Sequence, residues 1–224
     1  MKYVIANWKC NKNSAEVKSW AKDVSLSSSA SLSIVVCPPF LHIPLLTSLL
    51  PDLKLGAQTL SAYPNGSYTG AISGLIARDF VEFAILGHVE RRKYFHETNQ
   101  DVANAAVQAL DNKITPIIAV DASNWSSQLA QLSDEQLRKV LVMYEPAEAI
   151  STAGHGHAAD LDEVVSAIKD IRQEFDVLGC LYGGSVDEHT VMQYMSNELI
   201  DGVVVGAASL DAGKFSEMIR LCLV

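Results

Sequence analysis

Glu145 stands just after an apolar run, Val140-Leu141-Val142-Met143, and just before Pro146 and the small-residue stretch A-E-A-I-S-T-A-G that ends at Gly154. Such a run fits a strand buried on both faces, and Pro146 blocks further ladder pairing. A carboxylate fixed at a strand terminus with a loop behind it can be rigidly aimed and then covered, which suits a general base. Two other strand ends carry reactive side chains: N-W-K-C-N-K at 7–12, with Asn7 and Lys9, and A-I-L-G-H-V-E-R-R at 84–92, with His88, Glu90, Arg91 and Arg92. Taken singly each has a plain structural reading. Lys9 would be a solvated loop lysine, Asn7 a turn residue, His88 a satisfied structural histidine, and the charges after it a solvated cluster.

Two further strand ends are rich in small residues: Y-G-G-S-V at 182–186 and D-G-V-V-V-G-A-A-S-L at 201–210. Adjacent small residues before a helix let backbone amides cradle a phosphate, although neither string is a GxGxxG or a Walker loop. The elements that must position these groups alternate. Apolar β-type runs occur at 3–6, 32–37, 53–57, 81–86, 114–120, 140–143, 178–182 and 202–205, and helical periodicity occurs at 15–24, 101–110, 161–175, 191–195 and 214–221. Alternation of strand and helix predicts a parallel sheet with helical crossovers. Eight such units in 224 residues predict a closed (β/α)8 barrel in one domain, residues 1–224, over a doubly wound open sheet. Active sites of such barrels gather at the C-terminal strand ends, where the unusual residues fall.

Composition narrows the partners. The chain is 49% hydrophobic with a net charge of −9, which argues against nucleic acid, since that ligand requires a basic footprint. The same charge repels anions at long range, so an anion site must be made locally. No apolar run is long enough to span a bilayer, and the start M-K-Y-V-I-A-N-W-K lacks a signal-peptide apolar segment; the expectation is a cytoplasmic protein without membrane association. Cys10, Cys37, Cys180 and Cys222 lie far apart without metal-ligand spacing and read as reduced, mostly buried thiols. His155 and His157 form an H-x-H pair with no carboxylate partner, so no metal site is read there.

Over nearly its whole length the chain resembles the triosephosphate isomerases, whose fold is the TIM barrel. N-W-K resembles the family's N-x-K motif, G-H-V-E-R-R its G-H-S-E-R-R, Y-E-P with A-I-S-T-A its catalytic strand and loop, and Y-G-G-S and V-G-A-A-S-L its phosphate loops. The resemblance implies interconversion of glyceraldehyde 3-phosphate and dihydroxyacetone phosphate without a cofactor. It implies Glu145 as the base, with Lys9 and the neutral His88 stabilising the enediolate. Asn7 fixes Lys9, and Glu90 is a supporting carboxylate near Lys9. Backbone N–H groups of Ser151, Ser185, Gly206 and Ala207 bind phosphate, Tyr182 and Ser185 latch the loop after Glu145, and Ile150 and Val204 clamp the glutamate. The segment 56–70 resembles the family's projecting dimer loop, with Gln58, Tyr68, Thr69 and Gly70 on matching positions, which implies a homodimer. Glu97 matches a structural carboxylate, and Arg172 with Asp201 a structural ion pair.

Several positions depart from the family. Val89 stands for the serine whose hydroxyl is a resting partner of the base. Ser151 and Ala153 replace loop glycines ahead of the hinge Gly154-His155-Gly156, and Ala207 replaces a glycine and narrows the phosphate pocket. The fifth crossover is trimmed to residues 123–139 and carries no residue assigned to chemistry. Two other readings remain open: a phosphate-ligand-binding barrel that has lost turnover, and a different phosphosugar barrel enzyme.

Overall fold

A computed structural model describes residues 1–27, 29–146 and 159–223. Eight strands, β1 (Lys2–Asn7), β2 (Leu32–Cys37), β3 (Lys54–Ala57), β4 (Phe83–Leu86), β5 (Thr115–Val120), β6 (Leu141–Tyr144), β7 (Gly179–Tyr182) and β8 (Gly202–Val205), pair in sequence order. Every neighbouring pair is parallel, and β8 returns to β1 with Ile5 opposite Val204, which closes the barrel. All eight lie within two residues of the runs expected from sequence. Barrel strands are buried on both faces, so they are written as continuous apolar runs that stand out without help from periodicity.

Inside the barrel Ile5, Val35, Phe83, Ile85, Ile117, Leu141, Met143, Leu181 and Val204 pack on one another, and a second core separates the barrel from its helices. Side chains on a strand alternate between the two faces. The inward row of β1 therefore runs from Ile5 to Asn7, and that of β6 from Met143 to Glu145. Both polar residues occupy the layer just above the apolar filling, at the C-terminal mouth.

The helices are α1 (Ser14–Asp23), α2 (Ile43–Leu49), α3 (Gly74–Ala77), α4 (Val89–Phe95), α5 (Asn99–Asp111), α6 (Trp125–Leu129), α7 (Asp134–Leu137), α8 (Leu161–Glu174), α9 (Val191–Met195) and α10 (Ala212–Leu221). The five found by periodicity match α1, α5, α8, α9 and α10. Those it missed span seven residues or fewer, where a 3.6-residue period scarcely repeats, although α9, five residues long, was found. Capping boxes start α1 at Asn13 with Glu16, α5 at Thr98 with Asp101, and α7 at Ser133 with Gln136. The fifth crossover holds two short helices, α6 and α7, anchored by the fully buried Leu129 and Leu137 and by Trp125 set edge-on to Phe175.

The Arg172 guanidinium pairs with Asp201, whose carboxylate also accepts from the Cys180 N–H at 2.7 Å, so this ion pair ties α8 to the strands as the resemblance implied. Cys37 and Cys180 are buried free thiols, while Cys10 is exposed at the turn after β1. No helix among the described residues is long and apolar enough to cross a membrane.

Candidate active site at the mouth of the barrel

Lys9 follows β1 by two residues with φ of 50°. A side-chain-bearing residue in that left-handed region is strained by about 1–3 kcal/mol and persists only where its surroundings hold it. Here Asn7 Oδ1 accepts the Lys9 N–H at 3.1 Å, and Gln58 Nε2 donates to the Lys9 carbonyl and to the Cys37 carbonyl, both at 2.9 Å. Gln58, which sequence assigned to the dimer loop, thus also pins Lys9 from inside the mouth. The Lys9 ammonium reaches Glu90 Oε1 at 2.7 Å, the pairing expected from the resemblance.

The first strand–helix unit also carries the turn that follows β8. Lys12 Nζ donates to the Leu210 carbonyl at 2.7 Å, and Trp20 Nε1 donates to the Ser209 carbonyl at 3.1 Å. The 3-10 turn Ala207–Leu210 therefore hangs from the same unit that presents Lys9. Gly206 lies beside Lys9, since a Cβ built there would sit 3.8 Å from Lys9 Cε. Ala207 at the start of the turn is exposed.

His88 and Glu145 meet across the mouth. His88 precedes α4, and its Nδ1 accepts the Glu90 N–H at 3.2 Å. That bond leaves the proton on Nε2, which points at Glu145 Oε1 from 3.1 Å. Burial first, and the Lys9 charge second, lower the His88 pKa to about 4, so the ring is neutral near pH 7. Glu145, 3% exposed, has its carboxyl pKa raised to about 8 by burial; the Val89 N–H and the charge of Lys9 oppose that rise. Its backbone N–H donates to Val120 O at 2.8 Å, which ties the residue to β5. A Cβ on Gly183, at the end of β7, would lie 2.5 Å from Met143 and 3.1 Å from Glu145 Cγ, so only glycine leaves room for the carboxylate there.

Val89 has no side-chain hydroxyl to offer Glu145. Its backbone N–H instead donates to Glu145 Oε2 at 3.2 Å. A side-chain comparison could not reveal this, since the donor belongs to the main chain and survives any residue except proline.

The other expected residues are distributed around this pair. Tyr182 is fully buried, stacks on Tyr194 at 4.1 Å, and accepts the Ala159 N–H at 3.0 Å, while Tyr194 donates to the Ala159 carbonyl at 2.7 Å. Sequence reading missed Tyr194. Ser185 and Gly206 are half-buried past the ends of β7 and β8, and Val204 lies in the apolar filling one layer below Glu145. Ile150, Ser151, Ala153, the hinge 154–156 and His157 lie outside the described residues. Glu97 pairs with Arg91. Tyr68 and Thr69 are exposed on the projecting third loop, where Tyr63 and Tyr68 stack at 4.8 Å.

The arrangement sets a buried carboxylate of raised basicity against a neutral imidazole N–H, with the Lys9 ammonium presented after β1 and paired with Glu90. Such a set can take a proton from carbon and stabilise the oxyanion that results. A family model described as triosephosphate isomerase matches residues 2–222. A triosephosphate isomerase of Mycobacteroides abscessus is 35% identical over 245 residues, covering 96% of this chain and 94% of the relative. Those of Dictyoglomus turgidum and Dictyoglomus thermophilum are 32% and 33% identical, each with 98% of both chains covered. The match is full-length on both sides, and with the closed eight-stranded barrel it establishes that the chain belongs to the triosephosphate isomerase family.

Proposed function

We propose that this chain interconverts D-glyceraldehyde 3-phosphate and dihydroxyacetone phosphate through an enediolate, with Glu145 as the base. The observation that carries the assignment is the contact of Glu145 Oε1 with His88 Nε2 at 3.1 Å, both side chains being buried. Glu145 takes the carbon-bound proton and returns it to the neighbouring carbon. His88, through Nε2–H, and Lys9, through its ammonium, stabilise the enediolate oxygens. One such donor in a water-poor site is commonly worth about 3 kcal/mol. Asn7 and Gln58 hold Lys9, and Glu90 pairs with its ammonium. Backbone N–H groups of Ser185, Gly206 and Ala207, together with Ser151, bind the phosphate. Val204 and Ile150 form the apolar clamp on the base, and Tyr182 with Ser185 latches the loop that follows Glu145. No cofactor or metal enters this reading.

The active species is read as a homodimer in the cytoplasm, each protomer a single barrel domain. Tyr63 and Tyr68 are 51% and 43% exposed at the tip of a loop that carries little charge, and burying an aromatic ring contributes roughly 1.5–3 kcal/mol. Beside that loop a cavity of about 530 Å³ is lined by Leu60, Ile72, Phe95, His96 and Glu97. A second copy related by a two-fold axis can fill each groove with the other's Tyr68–Thr69 tip. A coupled isomerase assay on the purified chain tests the function. Turnover of both triose phosphates is expected, and binding of a phosphoglycolate inhibitor without turnover would favour the barrel that only binds.

A further inference from the structure

Of the eight polar or charged side chains buried among the described residues, four belong to the site just described: Asn7, His88, Glu145 and Ser209. Gln128 is equally buried, at 0% exposure, yet it lies on α6 in the short fifth crossover. Its Oε1 accepts from Arg92 Nη2 at 2.7 Å, and its Nε2 donates to the Asn99 carbonyl at 3.2 Å. Asn99 completes the ring by accepting from Arg92 Nη1 at 2.7 Å. Arg92 is thereby held so that its Nε donates to the Gly87 carbonyl at 2.7 Å, with Nη2 3.5 Å from the Ala119 carbonyl.

Both of those carbonyls adjoin the reacting pair. Gly87 immediately precedes His88; its φ of +70° favours glycine, and a Cβ there would meet Arg92 Nη2 and Val102 at 2.8 Å. Fixing the Gly87 carbonyl sets the peptide plane from which His88 departs. Ala119 precedes Val120, whose carbonyl receives the Glu145 N–H. The guanidinium therefore braces the approach of His88 from one strand and of Glu145 from the next.

We propose that Gln128 is a positioning residue for the isomerisation: it seats Arg92 against Gly87 and the end of β5, and so fixes the His88 imidazole against the Glu145 carboxylate. The proposal rests on His88 and Glu145 as the reacting pair. The choice of amide over carboxylate also matters. All four groups that Arg92 contacts are neutral, and it forms no ion pair among the described residues. Asp121, Glu97 and Glu145 act on it only at longer range, in that order. Its charge thus remains effective beside Glu145, which His88, Glu90, Lys9 and the Val89 N–H also face. A glutamate at 128 would neutralise that charge.

The test uses the full chain carrying Gln128→Met, which keeps the volume and removes the bonds, and Gln128→Glu, which keeps the acceptor. Folding is followed by circular dichroism, and kcat and KM are measured from pH 5 to 10. Gln128→Met is expected to lose kcat about ten-fold with KM within two-fold, since a displacement below 1 Å already lowers rates of oriented reactions. Gln128→Glu is expected to recover kcat at its optimum to within about three-fold, with the acid limb of kcat/KM moved to higher pH. A folded Gln128→Met with wild-type kcat, or a loss confined to KM, would overturn the proposal. So would a Gln128→Glu no better than the methionine. If the methionine variant does not fold, the glutamate variant decides: a displaced acid limb supports the proposal and an unmoved one overturns it. Absence of isomerase turnover in the wild type would instead remove the functional reading on which the proposal stands.

Discussion

The fourth crossover carries helices of seven and thirteen residues, α4 and α5, and brings His88, Glu90 and Arg92 to the mouth. The fifth, its neighbour around the barrel, carries helices of five and four residues and brings a single buried amide, Gln128. The fourth is long and carries the reactive side chains, the fifth is short and supporting, yet the two meet at one guanidinium. A short crossover can therefore support the site when it supplies apolar anchors and one well-placed acceptor. Length is a property of the outer layer, where a shorter loop changes closure entropy only slowly. The mouth depends on a few bonds made at defined points.

The comparison can be broken from its chemical side first. His88→Gln removes the Nε2–H aimed at Glu145 Oε1, and steady-state kinetics should show kcat lower by about 10²–10³ with a smaller change in KM. Loss of less than a factor of about three would return His88 to a structural role. On the supporting side, Leu129→Ala empties a fully buried position on α6 and should destabilise by about 2–5 kcal/mol in urea titrations, while the folded fraction keeps its KM. If KM rises with it, the fifth crossover reaches the substrate more directly than Gln128 alone explains.

Glu145, where the two crossovers meet, gives a third check through pH. Burial raises its carboxyl pKa from 4.5 to about 8. Between those values the folded chain retains a proton that the unfolded chain has released, so this residue lowers stability as pH rises through the window. Glu145→Gln should then melt higher than wild type at pH 8 by something on the order of 5 °C, and the gap should shrink toward pH 5. Equal melting temperatures at both pH values would mean that the carboxyl is not buried as described. The smallest effect is expected from Lys139→Ala at the outer end of the fifth crossover. It removes an exposed i,i+4 pair with Glu135, and melting temperature and kcat should both stay within error.

The strands and the reactive groups were legible because each leaves a local mark. Both-faced burial writes apolar runs, and Asn7, Lys9, His88 and Glu145 stand immediately after them in strings similar to those of a known family. What was hidden depends on contacts between distant residues. Gln128 is an ordinary polar residue in S-N-W-S-S-Q-L, and only the packing of α6 against Arg92, 36 positions earlier, gives it a role. Tyr194 likewise gains its role by stacking on Tyr182. The bond from the Val89 N–H to Glu145 was hidden because a side-chain comparison cannot register a main-chain donor. Short helices escaped for want of a repeating period, and α6 was among them.

The central claim is that Glu145 is the base, and Glu145→Asp tests it most directly. Removing one methylene withdraws the carboxylate by about one C–C bond while leaving its charge, and misplacement near 1 Å lowers rates roughly 10²-fold. Stopped assays in both directions should show kcat down by two decades or more, with KM little changed and the fold intact by circular dichroism. A folded Glu145→Asp enzyme that turns over at the wild-type rate would contradict the account.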